Sequence, residues 1–372
     1  MEGQGNMKKI LSLVLSSVLA FSVLAGCANN DTPAETPAET PVETPAEEPA
    51  ETPAEEPAEE AGAITKLGLG LVTSIGKSKD LAEGAATAQV DTVMVAAGFD
   101  ADGKIVSVTI DTAQDKVGFD GEMKLTSDTA VAGKTKKELG ADYGMVGASE
   151  IKKEWFEQIE AFEAWMIGKT IDEVTGMEVY EKDENHKRVP DVEDLKSSVT
   201  IDVGGYVDAL QKAFDNAVAV EGAEKVGLGA GVSTAKSKSA EADKTAVAQV
   251  DTTVVATALK ADGTVAGTVI DVAQTKVEFD ADGVVTSDKA AAVKSKVELG
   301  EDYGMRAASG IKKEWFEQAL DLSAWMVGKT ADEVTGMEIA EGIPADEDLT
   351  STVTIKVEGY LAAFEEAAAN AR

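Results

Sequence analysis

Two short stretches carry the residue types and spacings from which chemistry could be built. Asp194-Leu-Lys-Ser197-Ser-Val-Thr200 returns as Asp348-Leu-Thr-Ser351-Thr-Val-Thr354, with Asp three residues before Ser and six before Thr in both. The flanking sequence differs, yet the spacing persists. A hydroxyl held in a fixed setting is an acceptor to which a group can be attached. The alternation of Val199, Ile201 and Val203 predicts a strand over Ser197 to Val203, and Val353, Ile355 and Val357 predict its counterpart. Period-2 geometry then puts Thr200 and Thr354 on the face away from the core, within reach of a partner.

Other chemistries are closed by composition. The chain holds one Cys and one His. It therefore lacks the ligands of Cys₂His₂ zinc sites and thiolate iron–sulfur clusters, and the residues of CxxC redox centres or Cys–His nucleophile pairs. His186 lies in a polar Glu-Asn-His-Lys-Arg run and reads as a surface loop residue. Gly68-Leu-Gly-Leu-Val-Thr-Ser-Ile-Gly76-Lys-Ser78 fails as a phosphate loop, because Leu71 stands where the first glycine is required. A net charge of −34 argues against nucleic acid as a partner, since phosphate backbones attract basic surfaces. Carboxylates are so abundant that no acid/base pair of the glycosidase kind stands out.

These residues sit in a chain that repeats itself. Ala88-Gln-Val-Asp-Thr92 recurs at 248–252, Asp142-Tyr-Gly-Met145 at 302–305, and Ile151-Lys-Lys-Glu-Trp-Phe-Glu-Gln158 at 311–318. The offset is 160 at first and 154 later, six extra residues lying near Tyr180 to Pro190 in the first copy. The expectation is two tandem domains, 64–220 and 221–372, each of α+β class and large enough for its own core. Strands are predicted over Gln89 to Gly98 and Lys104 to Asp111, joined by a turn at Asp100-Ala-Asp-Gly103. A helix is predicted over Ser149 to Ile167, with Trp155 and Trp165 on its apolar face, then a short helix capped by Thr170 and a closing helix from Tyr206 to Val218.

The N-terminal 63 residues are of another kind. Lys8 and Lys9 precede an apolar run, Ile10 to Leu24, too short for an ordinary spanning helix. It ends in Leu24-Ala25-Gly26-Cys27, which resembles a bacterial lipobox; that resemblance makes residues 1–27 a lipoprotein signal and Cys27 the lipid-attachment residue. Residues 28–63 follow as a disordered stalk. Asp31 to Ala61 carries seven prolines and eleven acidic residues with no basic one, a composition that builds no core and favours extended conformations. The expected location is the extracytoplasmic face of a membrane.

The Asp-x-x-Ser-x-x-Thr pattern resembles the flavinylation motif of the FMN-binding domain family, Asp-x-x-Ser/Thr-Gly-Ala-Thr/Ser. The whole layout is similar to the PplA-like two-domain flavin lipoproteins of extracellular electron transfer: lipobox, Pro/Glu-rich stalk, Gly-Leu-Gly opening, Asp-Tyr-Gly-Met and Lys-Glu-Trp. The resemblance implies two tandem FMN-binding-like domains, each carrying one covalent FMN in phosphoester linkage. Thr200 and Thr354 would be the acceptors, with Asp194, Ser197, Asp348 and Ser351 as supporting residues. It further implies a flavin transferase, a quinone-linked membrane donor and an extracellular acceptor such as ferric iron. Here Ser198-Val199 and Thr352-Val353 replace the motif's Gly-Ala. Asp172-Glu-Val-Thr-Gly-Met-Glu178 keeps the glycine but ends in Glu, which has no hydroxyl to offer. Ser149 and Ser309 are second-choice acceptors whose simpler reading is helix N-caps. Tyr143, Met145, Tyr303 and Met305 are placed near the flavin ring. The competing reading is a non-redox surface lipoprotein, a binding or adhesion module.

Overall fold

The computed structural model describes residues 63–372. The export signal, Cys27 and the acidic stalk lie outside the described residues. The first copy opens with β1 (Ile64–Ser74), β2 (Lys79–Ala82), β3 (Ala85–Phe99) and β4 (Ile105–Asp120). Next come α1 (Lys136–Leu139), α2 (Trp155–Met166), α3 (Ile171–Thr175), β5 (Val179–Tyr180), β6 (Val189–Pro190) and α4 (Gly204–Asp215). The second copy follows with β7 (Val218–Ser233), β8 (Val247–Lys260), β9 (Val265–Glu278), α5 (Lys296–Leu299), α6 (Trp315–Met326), α7 (Ala331–Thr335), β10 (Ile339–Ala340), β11 (Ile343–Pro344) and α8 (Glu358–Ala369). The class is mixed α+β.

Seven of these strands make one antiparallel sheet. Its spatial order is β4, β3, β1, β7, β8, β9, and β2 continues the line of β1 along the same edge of β3. The copies join where Ile64 and Leu67 of β1 pair with Ala223 and Val218 of β7. The sheet curls until Phe119, at the end of β4, meets Phe279, just past β9, edge to face at 5.2 Å. Both faces are covered, so the long strands read as nearly continuous apolar runs. Along β3, Val90, Met94 and Ala96 face a core shared by both copies, while Val95, Ala97 and Phe99 face the first copy's own helices. A third apolar cluster belongs to the second copy.

The Gly-Leu-Gly pair that opens each copy has a steric cause. A Cβ at Gly68 would lie 2.0 Å from the Ala213 carbonyl oxygen, and one at Gly70 1.9 Å from that of Ala209. Gly227 and Gly229 meet Ala367 and Ala363 in the same way. Only glycine lets α4 rest directly on β1, and α8 on β7.

The copies are related by a pseudo-two-fold axis and exchange contacts reciprocally. Thr73 bridges to Val293, and Val232, at the place of Thr73 in the other copy, bridges to Gly133, at the place of Val293. Leu81 N–H donates to Gly283 O at 2.9 Å, and Ala240 N–H donates to Met123 O at 2.9 Å.

Several sequence-based boundaries move. The predicted strands fall on β3 and β4; β4 starts one residue later than expected, at Ile105, and runs nine residues further, to Asp120. The helix expected from Ser149 begins only at Trp155, because Lys152 takes a left-handed φ of 55° and Glu154 is the N-cap. The strand expected over Ser197 to Val203 is absent: the stretch is a turn followed by irregular backbone. No neighbouring strand receives its backbone groups. Val203 N–H goes to Arg188 O, and Thr200 N–H goes to a side chain.

Candidate functional site

Thr200 stands just after a turn. Leu195 O accepts from Ser198 N–H (2.9 Å) and Val199 N–H (2.8 Å), and Leu195 and Val199 are buried. That turn leaves Asp194 and Ser197 exposed on its outer side. Thr200 itself is half-buried and docks on Gln158 of α2: Oε1 accepts the Thr200 N–H at 2.9 Å and lies 3.3 Å from its hydroxyl. The second copy matches this, with Thr354 N–H 2.8 Å and Oγ1 3.2 Å from Gln318 Oε1, and with Asp348 and Ser351 exposed. Both glutamines are wholly buried. The structure thus brings each threonine onto a buried amide and leaves the acidic and serine members of the pattern in solvent. The threonine does not face away from the core on a strand, as the alternation implied; it sits at the rim of the core. A cavity of about 360 Å³ opens beside Thr200, lined also by Tyr180, Pro190, Asp191, Lys196 and Val199.

The amide is itself held. Gln158 Nε2 reaches Ser149 Oγ at 3.3 Å and Lys153 O at 3.4 Å, and Ser149 Oγ accepts Lys153 N–H at 3.3 Å. Ser149 therefore does not cap α2. Glu154 does, with Glu157 taking the Glu154 N–H at 2.7 Å. The Glu154 carboxylate meanwhile accepts from Met145 N–H (2.7 Å) and Val146 N–H (3.1 Å), tying the loop after Tyr143 to the helix. Thr175, in the discounted motif, donates its hydroxyl to Ile171 O at 3.0 Å.

A second constellation, which no spacing in the sequence assembles, lies one helical turn along α2. The Lys136 ammonium is buried over two rings, 4.8 Å from the centroid of Tyr143 and 5.1 Å from that of Trp155. Lys296 sits over Tyr303 (4.8 Å) and Trp315 (5.0 Å). Burial disfavours the charged amine and brings both lysines down to about 8, with the nearby Asp91 or Asp251 carboxylate opposing the shift. Trp155 Nε1–H donates to Tyr206 Oη at 2.9 Å, Trp315 does the same to Tyr360, and burial pushes both phenols up to about 12. Tyr143 Oη lies 3.4 Å from Gln114 Oε1. Tyr143 and Met145 pack against the first copy's core, and Tyr303 and Met305 against the second's. The only sequence signal for this cluster is its identity in both copies: Gln114, Lys136, Tyr143, Trp155 and Tyr206 all have unchanged counterparts.

His186 is exposed and pairs with Asp183 at 2.8 Å, as a surface residue would. Among the described residues, no group of three or more His, Cys, Asp or Glu could hold a metal ion. Nor is any described helix long and apolar enough to cross a membrane. No family model, no curated protein and no solved structure matches this chain.

Proposed function

We propose that this chain is a lipid-anchored extracellular electron carrier, two tandem FMN-binding-like domains with FMN in phosphoester linkage on Thr200 and Thr354. The observation that supports the reading is the duplicated setting of the two hydroxyls. Each is half-exposed and rests on a wholly buried glutamine amide at matching distances, although the adjoining loop is six residues longer in the first copy. A solvent-accessible hydroxyl on an anchored backbone suits a residue that a transferase must reach and whose appendage must stay put. The cavity beside Thr200 offers room for a chain leaving that hydroxyl; Lys196 on its wall is paired with Asp191 at 3.3 Å.

A bound FMN supplies one- and two-electron redox chemistry, and the protein supplies position and local field. Gln158 and Gln318 fix the acceptor backbone. The buried ammonium of Lys136 or Lys296 provides a fixed positive field on the same side of α2 or α6. Partners on this reading are a flavin transferase, a quinone-linked membrane donor and an acceptor such as ferric iron, with Cys27 anchoring the chain to the membrane.

The test is intact mass with in-gel flavin fluorescence after coexpression with a flavin transferase, for the wild type, T200V, T354V and the double variant. Two FMN groups, lost singly in each variant and wholly in the double, are expected. No added flavin, with a control acceptor modified in the same cells, overturns the carrier reading and leaves a non-redox surface module.

A further inference from the structure

The pseudo-two-fold axis generates two equivalent grooves between the copies, and they have diverged. One lies where the β4, α1 and α2 face of the first copy meets β7 and α8 of the second. The other lies where β9, α5 and α6 of the second copy meet β1 and α4 of the first. Every residue lining the first groove has its counterpart lining the second. In the first, a cavity of about 330 Å³, buried Glu163 is bonded to Lys137 at 2.7 Å and to Arg372, so the wall is an ion network. The counterparts of Lys137, Glu163 and Arg372 are Val297, Ser323 and Val218, and Glu160 is replaced by Leu320.

Removing four charged side chains from the second groove leaves a mostly apolar cavity of about 150 Å³. Leu320 and Val297 remain 60% and 41% exposed at its rim, with no apolar cover. Lys212 of the first copy holds one side of it open, bonded to Glu298 of the second at 2.6 Å and to Leu71 O at 2.8 Å.

We propose that this second groove is a binding site for a small neutral aromatic ring bearing one hydrogen-bond donor, of phenol size. An apolar cavity of this volume accepts a single six-membered ring. Its polar wall is Asp271, 8% exposed, whose Oδ1 takes the N–H groups of Val272 (2.7 Å) and Val297 (3.1 Å). Ser295 also hydrogen-bonds this carboxyl, and burial pushes it above the ordinary carboxylate range. With capacity for about four hydrogen bonds and three in use, it keeps an acceptor position for an incoming O–H donor. The one cation on the wall, Lys212, is already paired with Glu298, so an anionic ring would lose its water with no free positive charge to replace it, which makes a carboxylated ligand the wrong one. This site is independent of the flavin reading.

The test titrates the full chain, methyl-labelled at Leu and Val, with phenol, benzene and benzoate by NMR. Phenol is expected to shift the methyls of Leu69, Leu71, Val218, Val297 and Leu320 saturably, with a dissociation constant of about 1 mM or tighter. Benzene should bind more weakly and benzoate not at all. The V297K/L320E variant, which installs the first copy's residues at two exposed positions, should weaken phenol at least tenfold while circular dichroism and melting temperature stay unchanged. Shifts that do not saturate, that spread over methyls elsewhere, or that survive in V297K/L320E overturn the proposal, as does benzoate binding as well as phenol.

Discussion

Replacing Asp115 by Asn should stabilise the protein at neutral pH and do almost nothing in acid. Asp115 lies on β4, 8% exposed, and its Oδ2 has no hydrogen-bond partner. Burial, with the Asp91 and Glu138 carboxylates near, raises its carboxyl from 3.8 to about 6. Each unit corresponds to 1.36 kcal/mol, so ionising Asp115 in the folded state costs about 3 kcal/mol relative to the unfolded chain. Because the folded value is the higher one, this stability is fully present below pH 3.8 and is lost as pH rises through about 6. The second copy already has a neutral residue there, Thr275. Asn keeps the shape of Asp, which matters because Gly133 packs so closely that even a Cβ on it would come within 2.2 Å of Asp115 Oδ1. Urea unfolding of wild type and D115N should be compared at pH 4, 5, 6, 7 and 8. The difference is expected to grow from near zero at pH 4 to about 2–3 kcal/mol in favour of D115N at pH 7, then level off. A difference independent of pH, or a D115N protein less stable at pH 7.5, refutes the assignment of a strained, ionised carboxylate between the copies.

Two further outcomes follow from the packing. Gly70→Ala should cost about 2–4 kcal/mol, because its Cβ meets the Ala209 carbonyl and α4 must lift from β1; thermal unfolding reads this, with Gly231→Ala, which has open space, as a near-neutral control. Lys136 and Lys296 should titrate near pH 8 in side-chain NMR, with one resonance lost in each of K136M and K296M. Since the folded amines release their protons first, the penalty they place on folding is full below about pH 8 and is relieved as pH rises to 10.5, and titration at 10 or above would show that the ammonium is not buried.

Much of this architecture could be read from residue order alone, and the exceptions have physical causes. The repeat, the α+β class, β3, β4 and α4 all follow from alternation and 3–4 spacing, which report a local half-buried environment. Gly68 and Gly70 recurred as a motif, but only the Ala209 and Ala213 carbonyls explain them. The stretch 197–203 alternates apolar and polar residues as a strand would, yet only Val199 and Val203 are fully buried. Its Thr200 N–H nevertheless bonds to Gln158, 42 residues away, and no periodicity encodes such a partner. The start of α2 was misplaced because Ile151 continues the apolar spacing while Lys152 adopts a left-handed backbone that spacing does not register. Lys136 sits among Lys134, Lys137 and Glu138 and looks solvated; its burial depends on Trp155 and Tyr143 folding over it. The common sheet depends on β1 choosing β7, a choice made by register and not by composition.

The reciprocal bridges Thr73–Val293 and Gly133–Val232 are the kind that a symmetric homodimer makes across its axis, here made within one polypeptide. In a true homodimer every substitution is made twice, so both clefts across the axis must stay identical. Within one chain they are free to differ: a change at position 297 leaves position 137 untouched. One cleft carries an ion network while its twin is apolar, giving the molecule a front and a back that exact two-fold symmetry forbids.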